Sequence, residues 1–163
     1  MRNSVFSSVL SVACIMGGLA AAQDATPETM ILASDPSSVL THLNATGYPA
    51  KLTEDSVGDP LIEFRLSGER YDIFFYDCTK NEDCQALQFY AGFNVGGSVE
   101  LDTLNEWNAD RRFVRAYMVD GGDAVRIELD VATSNHGIHP DDFSDIIDLW
   151  KESVSLFEAR IDW

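Results

Sequence analysis

Two cysteines, two neighbouring histidines and an excess of carboxylates are the residues of this chain whose types and spacing could do chemistry. Cys78 and Cys84 stand at either end of Thr-Lys-Asn-Glu-Asp. Redox pairs usually keep two residues between their cysteines, and a metal set needs further ligands. In an exported protein the pair reads instead as a disulfide closing a short loop. His136-Gly137-Ile138-His139, ahead of Asp141 and Asp142, holds metal-ligating residue types. Gly137 and Pro140 place both histidines in a loop, away from helical zinc-motif spacing. Asp120 and Asp123 flank Gly-Gly and lack the ligand series of a calcium loop. Ser98, Ser134 and Ser144 fall in no nucleophile-elbow pattern. Gly96-Gly97 opens no phosphate-binding pattern. Carboxylates are so abundant that their presence carries no positional information about acid–base catalysis. No metal, no cofactor and no enzymatic activity is expected.

The charge narrows the partners. Lys and Arg total 11, Asp and Glu total 27, and the formal net charge is −16. Nucleic acid demands a basic face, and so does electrostatic binding to an anionic membrane surface. The acidity favours solubility and attraction to basic partners. The N-terminus has the pattern of a secretory signal: Arg2, an apolar run from Val5 to Leu19, then Ala20-Ala21-Ala22. Residues 1–22 are expected to be removed, leaving Gln23 first and no membrane span. Cys14 raises lipid attachment as a rival, although Ser11 stands where a lipoprotein signal usually has Leu. Residues 23–34 lack an apolar period and predict a mobile linker. The expected location is periplasmic or secreted.

The elements that must position these residues follow from periodicity. Asp35-Pro36 starts a helix whose apolar stripe is Val39, Leu40 and Leu43, ended by Gly47. Asn44-Ala45-Thr46 matches a glycosylation triplet and is assigned no function. Four strands follow. Ala50–Glu54 is weak, and Leu61–Leu66 alternates Ile62, Phe64 and Leu66 against Glu63 and Arg65. Tyr71–Cys78 opposes Ile73 and Phe75 to Phe74 and Tyr76. Ala86–Phe93 opposes Leu87, Phe89, Ala91 and Phe93 to Gln88 and Tyr90. Short connections imply an antiparallel meander. Ser98 is expected to cap a helix on which Leu101, Leu104 and Asn108 share a face beside Trp107. Phe113–Val119 and Val125–Val131 then form a hairpin turning at Gly121-Gly122, with Arg126, Glu128 and Asp130 outward. The last helix runs from His139-Pro140 to about Arg160 on a stripe of Phe143, Ile146, Ile147, Trp150, Val154 and Phe157.

The pattern Leu104-Asn105-x-Trp107-Asn108, then Arg112-Phe113-x-Arg115-Ala116-Tyr117, then a Gly-containing hairpin and an acidic alternating strand, resembles the bacterial YbjN family. The resemblance covers roughly residues 35–160. It implies a role in sensory transduction and a fold similar to that of type III secretion chaperones. The signal peptide and the cysteine pair depart from cytoplasmic members. No enzymatic activity and no catalytic residue comes with the resemblance.

The expected fold is α+β: an antiparallel sheet of about six strands with three helices, mostly on one face, in a domain spanning 35–163. The uncovered face should carry Glu63, Arg65, Phe74, Tyr76, Gln88 and Tyr90. The last four are the candidate interface, since aromatic bodies with polar tips are enriched where proteins meet. The expected function is an exported, non-enzymatic, protein-binding or chaperone-like module of the cell envelope, with an unidentified protein or a second copy as partner. The alternative is a small-ligand or metal sensor using a pocket between sheet and helices.

Overall fold

A computed structural model describes residues 29–163. The signal segment, Cys14 and the Gln23 start lie outside the described residues. Three helices and six strands follow in the order α1 (Pro36–Ala45), β1 (Ala50–Glu54), β2 (Pro60–Leu66), β3 (Glu69–Tyr76), β4 (Ala86–Asn94), α2 (Leu101–Asp110), β5 (Arg115–Val119), β6 (Ala124–Ala132) and α3 (Pro140–Arg160). The strands form one open antiparallel sheet in the order β1-β2-β3-β4-β6-β5. The fold is α+β, as the periodicity predicts.

The alternating apolar residues all face one way. Phe64 pairs with Tyr71, Ile73 with Phe89, Phe89 with Leu129, and Ile127 with Ala116. All three helices pack against this surface in one core. Trp150, Phe143 and Phe157 of α3 are fully buried. Trp150 stacks near Phe89 at 5.7 Å, and Phe157 meets Trp107 of α2 edge-on at 5.0 Å. Val39 and Leu43 of α1 complete the layer. Aromatic side chains of this size fill much of the space between sheet and helices.

Four details differ from expectation. The end of the presumed linker is tied down: Ile31 and Ile138 exchange backbone hydrogen bonds of 2.9 Å, and Ala33 N–H donates to Thr133 Oγ1 at 3.0 Å. Burying Ile31 and Ala33 offsets the entropy of ordering this stretch. Gly137 permits the approach, because a Cβ there would lie 2.8 Å from the Ile31 carbonyl oxygen. Ser98 does not cap α2; Glu100 holds the cap position without a side-chain bond, Val99 is buried and Leu101 is exposed. The β5–β6 connection is a short 3₁₀ turn over Asp120–Gly122, with positive φ at Asp120, Gly121 and Gly122, in place of a two-residue primed turn. Glu128 does lie on the outward face, yet it is 5% exposed there.

Candidate functional site

The residues of the Trp107–Tyr117 motif divide into two tasks. Trp107 and Asn108 dock α2 onto the edge strand β5. The Trp107 indole Nε1 donates to the Val114 carbonyl at 2.9 Å. Asn108 presents its amide as a second peptide: Nδ2 donates to the Ala116 carbonyl and Oδ1 accepts from Ala116 N–H, both at 2.8 Å. At the opposite edge Asn44 of α1 does the same to Ala50 of β1, at 3.3 and 3.1 Å. Both sheet edges therefore carry a helix-borne amide where another strand would bond, which blunts edge-to-edge pairing.

Arg115 and Tyr117 point to the other side, the face that no helix covers. They converge on Glu128 across the β5–β6 ladder, where Arg115 pairs with Glu128 and Tyr117 with Arg126. Arg115 donates to Glu128 Oε2 through Nε at 2.9 Å and to Asp130 through Nη1 at 3.2 Å. The Tyr117 hydroxyl donates to Glu128 Oε1. Gln88 reaches in from β4, donating to Asp130 at 2.7 Å and to Glu128 at 3.4 Å. Its Oε1 accepts from the Tyr76 hydroxyl at 3.3 Å. A buried carboxylate is costly unless it is paired and hydrogen-bonded, and three side chains meet that requirement here. The Glu128 bond keeps the Arg115 guanidinium above its ordinary pKa. Burial, then the charges of Glu128 and Asp130, raise that of Tyr76.

Aromatic rings stand beside this network. Phe74 meets Tyr90 edge-on at 5.4 Å and Tyr76 at 6.4 Å. The Arg126 guanidinium lies 5.7 Å over the Tyr90 ring. Together with Arg115, Tyr117, Glu128 and Asp130, Tyr76 and Gln88 line an open depression of about 880 Å³. The Cys78–Cys84 disulfide is formed at its rim. There Thr79 and Glu82 exchange backbone bonds, and Gln85 N–H donates to the Tyr76 carbonyl at 3.0 Å.

The structure thus joins two groups of residues that the sequence keeps apart: Arg115 and Tyr117 of the motif, and Tyr76 and Gln88 of the candidate interface. Glu128 and Asp130 link them, two residues that alternation marks only as outward. Half of that signal was available, since a hairpin centred on Gly121-Gly122 pairs Arg115 with Glu128. The placement of β4 beside β6 was not. Arg112 and Phe113 stay outside the cluster; Phe113, expected to open the strand, is exposed in the bend that precedes β5. His139 caps α3, its Nδ1 accepting from Asp141 N–H at 3.3 Å. Among the described residues no group of three or more His, Cys, Asp or Glu is arranged to hold a metal ion.

A family model described as "Putative bacterial sensory transduction regulator", YbjN, matches residues 35–163. No curated protein and no solved structure matches the chain. With the match running from the N-cap of α1 to the last residue, the chain belongs to the YbjN family.

Proposed function

We propose that this protein is an exported, non-enzymatic, chaperone-like module of the bacterial cell envelope that binds another protein through the uncovered face of its sheet. One observation carries the reading. Phe74, Tyr76 and Tyr90 are held in a group on a face without helical cover, and Gln88 and Glu128 are buried there by their cross-strand neighbours. Rings fixed in this way lose little freedom on association, which favours binding. The disulfide supports an oxidising compartment. No helix among the described residues is long and apolar enough to cross a membrane.

The test is the double change Tyr76→Ser with Tyr90→Ser. Both side chains lie off the core, so the thermal midpoint should move little. Recovery of a cross-linked partner from envelope extract should fall sharply against the wild type. Unfolding of the variant, or unchanged recovery, sinks the reading.

The depression of about 880 Å³ favours a second reading, a small polar ligand seated among Tyr76, Arg115 and Asp130. A metabolite that raises the midpoint of the wild type but not of Tyr76→Ser would support it.

A further inference from the structure

The helix-borne amides guard the sheet edges only in part, and one stretch of β1 stays open. Along an edge strand, the backbone groups of alternate residues point away from the sheet. Ala50 is such a residue, because Asn44 takes both its N–H and its carbonyl from the outer side. Pro49 faces inward, its carbonyl accepting from Arg65 N–H at 3.0 Å. By the same alternation Lys51 and Thr53 bond to β2, opposite Glu63 and Leu61, and Leu52 and Glu54 turn their N–H and C=O groups outward. Opposite Glu54 stands Pro60, which has no N–H to give. Among the described residues nothing hydrogen-bonds these outward groups of Leu52 and Glu54, and both residues are exposed.

The other edge is closed further along its length. On β5, Trp107 takes the Val114 carbonyl and Asn108 takes both groups of Ala116, which leaves Met118 ahead of the 3₁₀ turn. Unpaired edge groups are a template for another strand.

We propose that β1 pairs edge to edge with β1 of a second copy of the chain, antiparallel, about a twofold axis through Thr53 perpendicular to the sheet. Leu52 of each copy then lies opposite Glu54 of the other. Each copy offers two N–H and two C=O groups there, so four hydrogen bonds form and no outward group of the open stretch is left over. The contact is isologous, as a closed pair requires. Thr53 faces its own counterpart, a favourable cross-strand pair, and Lys51 comes opposite Asp55. No like charges stand directly opposite. The neighbouring registers do worse. Centring on Leu52 makes two bonds and sets Glu54 against Ala50, whose groups Asn44 already holds. Centring on Glu54 also makes two bonds and sets two carboxylates opposite each other.

The length of the open stretch selects a second copy over a foreign strand. Asn44 closes the edge at Ala50. At Asp55 the chain turns back toward β2, with Asp55 Oδ1 accepting from Val57 and Asp59 N–H at 2.9 and 3.0 Å. A longer strand therefore gains no further bonds, whereas β1 arrives already extended and loses less entropy than a flexible segment. The contact is small, on the weak side of the range for specific pairs. Its axis keeps the uncovered faces of both copies on one side of a continuous sheet. The pairing does not depend on what that face binds.

Sedimentation velocity and cysteine cross-linking on the whole protein test this. The wild type should associate reversibly at high micromolar concentration. Glu54→Pro removes an N–H that no bond within the chain uses, and proline is tolerated on an edge strand. The variant should keep its circular dichroism, and its self-association should fall about tenfold or more, since two intermolecular bonds are lost by symmetry. Thr53→Cys sets two thiols across the axis, with Cα atoms about 4.5 Å apart, and should give a covalent dimer on mild oxidation. Lys51→Cys should not, because its counterpart lies roughly 14 Å away along the strand. The wild type run beside them accounts for the native cysteines. A wild type that stays monomeric overturns the proposal. So does a folded Glu54→Pro that associates normally, or Lys51→Cys cross-linking as readily as Thr53→Cys. If Glu54→Pro does not fold, the cross-linking comparison decides by itself.

Discussion

At the residue scale Glu128 decides most. Three neighbouring side chains engage its buried carboxylate, and one of them, the Tyr117 phenol, titrates above the ordinary tyrosine range. Burial is the largest cause, followed by the bond to Glu128. Tyr76 is raised by burial and by the nearby carboxylates, and Tyr71 by burial and by Glu158, to which its hydroxyl donates at 3.2 Å. A raised pKa means that the folded state keeps its proton longer than the unfolded one. The stability these groups contribute is therefore complete below about pH 10, the unfolded tyrosine value, and is lost as pH rises from there through the folded values. Ultraviolet titration should show late tyrosinate formation, and the denaturation midpoint should fall above about pH 10. In Tyr117→Phe part of the late absorbance change should disappear. Titration of every tyrosine near pH 10 would rule out the buried network.

At the element scale α3 closes the core and α1 and α2 guard the edges. Trp150 is at 0% exposure, packed against Phe89 and edge-on to Tyr71. Its indole Nε1 is buried without a hydrogen-bond partner among the described residues, so its stabilising effect comes from packing. Trp150→Ala should cost about 3–5 kcal/mol through lost burial and the cavity left behind. Lys151→Ala, on the solvent side of the same turn, should stay within about 0.5 kcal/mol. Chemical denaturation compares them directly, and equal small effects would mean that α3 does not dock. The apolar stripe of α3 was legible because a period of 3.6 residues is a local property. The edge-guarding role of Asn44 and Asn108 was not, because each acts on a strand brought beside it only by folding.

At the scale of the whole molecule, the Cys78–Cys84 pair links redox state to stability. The disulfide closes the tip of the β3–β4 hairpin, beside the rim of the uncovered face. Reduction should lower stability by about 2 kcal/mol, the chain-entropy value for so short a loop. If the proposed export holds, intact mass of the protein collected from the periplasm or the medium should show a chain beginning at Gln23 and about two mass units below its reduced form, for two thiol hydrogens lost. A free thiol at Cys78 would remove the oxidative half, and a lipid on Cys14 would remove the soluble-export half.

The sequence by itself determined the α+β class, the phase of each strand, the closing helix and the residues of the two sheet faces. Each follows from alternation or helical spacing over a few neighbouring positions, where the side chain's direction is a property of the local backbone. Tertiary structure alone decided that β6 lies between β4 and β5, and that Ile31 and Ala33 join the core. It also decided that Gln88 and Glu128 are buried on the face left open. Strand order sets which side chains meet across the sheet, and that order depends on the packing of the whole chain. A carboxylate that alternation alone places in water is thereby enclosed by an arginine, a tyrosine and a glutamine from two neighbouring strands.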